Sequence, residues 1–199
     1  MKKIIALALV ILTLSLPLAS CKTAIKMTDE EAVTILEDLI PKSQELNKIF
    51  WTTDIPLLDE NAEAVSAVTT AQYYEVAEDF PYRSVAELKA AAEAVFSTDY
   101  LEDVYALAFD GYEYSDDETT YTLNPRFKDN SEGILCFDIT NTTNYPLNTV
   151  IDISSAKVES TTYALVTISL DCTISGNASQ IKITLYNQNG EWRLDSPTY

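Results

Sequence analysis

The stretch Tyr163-Ala164-Leu165-Val166-Thr167-Ile168-Ser169-Leu170-Asp171-Cys172-Thr173-Ile174 decides the fold class. Ala164, Val166, Ile168, Leu170, Cys172 and Ile174 share one face of it, while Leu165, Thr167, Ser169, Asp171 and Thr173 share the other. A two-residue period of this kind marks a strand buried on one side. Ser175-Gly176-Asn177 then turns the chain into Ile181, Ile183 and Leu185, and Asn187-Gln188-Asn189-Gly190 turns it into Trp192 and Leu194. Upstream, 149–158 alternates in the same way, and 133–139 is apolar and β-prone. These signals predict an antiparallel meander with one buried face, holding Trp192 and Leu194 in its core.

Outward from the meander the pattern becomes helical. Thr28-Asp29-Glu30-Glu31 reads as a capping box, and its three acids suit the positive end of a helix. Val33, Leu36, Leu39, Ile40, Leu46, Ile49 and Phe50 follow at helical spacing, with Pro41 interrupting them. One kinked helix, or two abutting ones, is expected between Thr28 and Trp51. A short strand is expected at 72–77, where Tyr73, Tyr74 and Val76 fall. Ser84-Val85-Ala86-Glu87 opens a second helix through Phe96, and a shorter one carries Leu101, Val104, Leu107 and Ala108 up to a stop at Gly111. Helices first and strands afterwards predict one α+β domain over 28–199, with N-terminal helices packed on a curved antiparallel sheet.

The first twenty residues belong to another class. Met1-Lys2-Lys3 is cationic, and the apolar run from Ile4 to Leu18 is shorter than the roughly 20 residues of a membrane span. It ends in Leu18-Ala19-Ser20-Cys21, which resembles the lipobox of bacterial lipoproteins. The resemblance implies a signal peptide over 1–20, lipidation of Cys21, a tether over 21–27, and a membrane-anchored extracytoplasmic domain. Two acyl chains on one diacylglycerol hold a protein at a bilayer durably. Removing 1–20 takes away two lysines and no acid, so the net charge moves from −18 to −20.

Composition then narrows the chemistry. Thirteen Lys+Arg against 31 Asp+Glu disfavour a nucleic-acid partner, since counterion release needs clustered cations. With no histidine, the usual general base, His-activated nucleophiles and imidazole metal sites are absent. Four glycines include no GxGxxG or phosphate-binding loop, so no cofactor is expected. With Cys21 lipidated, Cys136 and Cys172 remain. They allow either a disulfide, contributing on the order of 4 kcal/mol in a chain-entropy account, or two buried thiols.

The long helix, Tyr73-Tyr74-Glu75-Val76, the capped Ser84-Val85-Ala86-Glu87-Leu88-Lys89 and the ending Gly190-Glu191-Trp192-Arg193-Leu194 resemble the NTF2-like (cystatin-like) folds of bacterial lipoproteins. More narrowly, 82–111 and Trp192-Arg193-Leu194-Asp195-Ser196-Pro197 resemble the IseA-type inhibitors of cell-wall DL-endopeptidases. That resemblance implies a non-catalytic protein whose partner is a cell-wall hydrolase. It transfers no contact residue.

Three candidate sites remain. Asp110, Tyr112, Glu113, Tyr114, Asp116, Asp117 and Glu118 crowd a short connection between helix and sheet. Their spacing fails the EF-hand pattern, so no metal is expected. Read as a partner-binding loop, acids steer a basic surface and tyrosines supply contact area; read otherwise, the segment is a solvated connector. Asp138, Asp152 and Asp171 fall inside expected strands, where a converging pair would serve a carboxylate hydrolase and a separated set would mark a solvated face. Tyr73 or Tyr74 would line a small-molecule pocket between helices and sheet, or would simply pack.

Overall fold

The computed structural model describes residues 23–59, 70–115, 120–142 and 144–199. The signal segment, Cys21 and the acids Asp116, Asp117 and Glu118 lie outside the described residues, as does the side chain of Tyr114.

Helix α1, Asp29–Trp51, begins as its sequence dictates. Thr28 Oγ1 accepts from the Glu31 amide at 3.2 Å, and the Glu31 carboxylate accepts from the Thr28 amide at 2.8 Å, which closes the box. Pro41 sits inside one continuous helix. Pro41 and Glu37 both lie on the exposed face, where water can take the carbonyl that proline leaves without a donor. Ala32, Leu36, Leu39, Ile40, Leu46, Ile49 and Phe50 form the buried stripe.

The meander expected from the sequence is a four-stranded sheet in the order β6-β7-β8-β9, with every neighbour antiparallel. Its strands are β6 (Thr149–Thr161), β7 (Leu165–Ile174), β8 (Asn177–Gln188) and β9 (Glu191–Leu194). Val166, Ile168 and Leu170 are fully buried, facing the stripe of α1 together with Ile183, Leu185 and Leu194. Helix α1 touches both edge strands, β6 and β9, and so lies across the whole sheet. Side chains this size contribute about 1.5 to 3 kcal/mol each on burial, which makes the interface the main source of cohesion.

The edge at β9 is closed by chain that the sequence assigns to a helix. Helix α2, Val85–Glu93, ends three residues before Phe96. The Leu194 amide then donates to Val95 O and the Ser97 amide donates to Leu194 O, both at 2.8 Å, which makes Phe96 a parallel bridge. An edge strand's unpaired amides and carbonyls need such a cover. Ser97 caps α3, Thr98–Tyr105, which passes through a π-helical turn, Ala106–Asp110, to Gly111.

A single curved sheet was expected; among the described residues there are three separate ones. Strands β1 (Tyr73–Glu75), β5 (Leu135–Asp138) and β4 (Phe127–Asp129) form a second sheet in the order β1-β5-β4. Its central strand is buried at all four positions, which explains an apolar run with no alternation. The third sheet is a two-stranded hairpin of β2 (Tyr112–Ser115) and β3 (Thr120–Leu123). The folded body also begins earlier than 28. The Ile25 amide donates to Thr162 O at 2.7 Å, and Ile25 and Met27 pack against the core. Trp192 differs from expectation as well, being half-buried in a groove beside α1 while Leu194 is fully buried. Among the described residues no helix is long and apolar enough to cross a membrane.

Candidate functional site

The acidic segment after Gly111 is a β-ribbon where a connector loop was expected. Tyr112 pairs with Leu123, Glu113 with Thr122, Tyr114 with Tyr121 and Ser115 with Thr120. Alternating aromatic and polar residues at 112–115 and 120–123 carried that signal, but the run of acids between them masked it. Among the described residues the hairpin pairs with neither larger sheet. Tyr112 is 52% exposed, and Leu123 and Glu113 are also exposed. Its two ends nearly touch: a Cβ on Gly111, at φ +76°, would lie 2.9 Å from the Leu123 carbonyl oxygen and 3.0 Å from Pro125. Only glycine fits both that φ and that distance.

The three strand aspartates do not converge as a group. Asp138 lies on β5 in the second sheet and is 1% exposed. Its Oδ1 accepts from the Gln72 amide at 3.0 Å, the Thr140 amide at 3.0 Å and the Thr140 hydroxyl at 2.7 Å. Asp152 and Asp171 are cross-strand partners on β6 and β7, both exposed. Asp152 caps its own bulge through Ser154, and Asp171 accepts from Gln180 at 3.2 Å. These bonds give all three aspartates structural tasks.

Sequence reasoning missed Arg126, which is buried beside Asp138. Its guanidinium donates to Asn141 Oδ1 at 3.0 Å and to the Thr52 carbonyl, and it lies 5.2 Å from the Phe137 ring centroid. Burial lowers its pKa to about 10, against the opposing pull of the Asp138 charge. This arginine joins the end of α1 to the second sheet. The preceding Asn124-Pro125 turn was the one signal that a strand was about to start there.

Cys136 and Cys172 are both buried and both free, on β5 and β7 of different sheets, so the disulfide alternative is not realised. Burial pushes the Cys136 thiol pKa up, as do Glu75 and Asp129, against the opposing pull of Lys128. Tyr73 donates to Pro125 O at 2.6 Å, with Lys128 Nζ 3.6 Å from its ring centroid. Burial, and then the Asp138 charge, raise its pKa to about 12. Tyr74 packs against the core.

A cleft at the junction of α1 and the meander does exist, with a volume of about 250 Å³, but neither Tyr73 nor Tyr74 lines it. Its walls are Gln44, Asn47 and Lys48 from α1, Leu147, Thr149 and Val150 around the start of β6, and Thr198 and Tyr199. Among the described residues no group of three or more cysteines and acids is placed to hold a metal ion. No protein-family model matches the chain, and the search of curated proteins finds no match.

Proposed function

We propose that this chain is a lipid-anchored, extracytoplasmic, non-catalytic binding protein that restrains a cell-wall hydrolase through the hairpin 112–123. The hairpin itself carries the reading: a two-stranded ribbon, independent of both larger sheets, that presents Tyr112, Glu113 and Leu123 to solvent. A tyrosine offers broad contact area with few rotamers to freeze, and a neighbouring acid selects a cationic cleft and speeds encounter. The lipobox-like Leu18-Ala19-Ser20-Cys21 supports the anchor and the compartment. The finer fold, NTF2-like of the IseA type, belongs to the same proposal; a long helix across a four-stranded antiparallel meander supports it.

The test adds the purified full chain to cell-wall endopeptidases digesting peptidoglycan. Inhibition is expected, and Tyr112→Ala combined with Glu113→Lys is expected to weaken it at least about tenfold, the scale of one interface hot spot. An endopeptidase panel that digests at the same rate with and without the chain refutes the proposal.

A further inference from the structure

The cleft between the last turns of α1 and the start of β6 contains a buried polar group with bonding capacity left over. Asn47 is 2% exposed and yet lines the cleft. Ser43 Oγ donates its single proton to the Ile40 carbonyl at 2.7 Å, so the proton in the 2.8 Å Ser43–Thr198 contact is the threonine's. Thr198 Oγ1, its proton spent, must accept from Asn47, which it does from Nδ2 at 2.9 Å. This one-way chain fixes the carboxamide's orientation. It leaves Asn47 Oδ1 and the second Nδ2 proton without a partner among the described residues.

We infer that this cleft is a binding site for a neutral pyranose sugar. An acceptor and a donor side by side on one carboxamide match adjacent ring substituents, one giving a proton and one taking it. Tyr199 supplies an apolar ring surface 38% exposed at the cleft wall, in ring contact with Trp51 and Tyr145 at centroid distances of 6.0 and 6.3 Å. Gln44 and Thr149 add further neutral polar groups. Lys48 is the charged residue in the wall, and Glu45 answers it at 2.8 Å, so the site selects for no net charge despite the acidity of the chain. A volume of about 250 Å³ suits one ring and is short for an extended peptide, the other ligand that an edge strand such as β6 attracts. The inference is independent of the hairpin and its partner.

Saturation-transfer NMR and titration calorimetry on the full chain, with methyl β-glucoside, N-acetylglucosamine and N-acetylalanine methylamide as probes, test it. At least one sugar is expected to bind more tightly than the peptide mimic. Asn47→Ala is expected to weaken sugar binding about three- to tenfold, the worth of one or two hydrogen bonds. Because Asn47→Ala also loosens Thr198, Val150→Arg provides a second variant: Val150 is 67% exposed on the cleft wall, so an arginine there blocks the mouth without disturbing the core. Absence of transfer to both sugars overturns the inference, as does tighter binding of the peptide mimic. Sugar binding unchanged in Val150→Arg overturns it too.

Discussion

Gly111 shows how much a single residue can decide. Its φ of +76° strains any L side chain, and the added Cβ would strike the Leu123 carbonyl. Gly111→Ala is therefore expected to cost about 2 to 4 kcal/mol, from backbone strain and overpacking together. Gly176→Ala, at φ +80° with nothing within 4 Å, carries the strain alone and is expected to cost about 1 to 2 kcal/mol. Urea unfolding of the two variants separates the contributions. Thr198→Val keeps the shape of the buried contact but deprives Ser43 and Asn47 of their partner, an expected loss of about 2 kcal/mol or more on the same assay. Residues whose role is local were legible in the sequence: the Thr28–Glu31 box is as expected. The Ser84 box is only half so, because Glu87 turns its carboxylate to the Arg83 amide. Arg126 was illegible, since nothing in its neighbours shows that Thr52 and Asn141, far away in the chain, will enclose its charge.

At the scale of elements, the hairpin 112–123 leaves and rejoins the body at one place, Gly111 lying against Leu123 and Pro125. Replacing 112–123 by a short glycine linker is expected to change unfolding free energy by less than about 1 kcal/mol, because loop closure depends weakly on length. The same replacement removes the proposed inhibition, so calorimetric melting and the digestion assay together separate folding from binding. The strands of the meander were legible because apolar and polar residues alternate along their sequences; β4, three residues long, offers too short a period to detect. The end of α2 was misplaced because Phe96 continues the apolar helical spacing. The bridge to Leu194 that claims it depends on a strand almost a hundred residues later.

Over the whole molecule, protons and chain order set the limits. Tyr73, Tyr82, Tyr100, Tyr105 and Tyr199 all have raised pKa values, chiefly because burial disfavours the phenolate. The stability Tyr73 holds in this way is complete below about pH 10 and is lost as pH rises through about 12, where it titrates in the folded state, and the other four act in the same direction. Arg126 works the other way: its pKa is lowered to about 10, so its deprotonation above that point relieves a penalty. Five tyrosines against one arginine predict a Tm that falls steadily from about pH 10 upward, coincident with tyrosinate absorbance. A final consequence follows from the bonds that Thr198 makes with Ser43 and Asn47, 155 and 151 residues away. Helix α1 is fastened by a residue far later in the chain, and its sheet is complete only with β9. High contact order of this kind makes folding slow and strictly late. A chain arrested before β9 is expected to remain protease-sensitive in pulse-chase digestion.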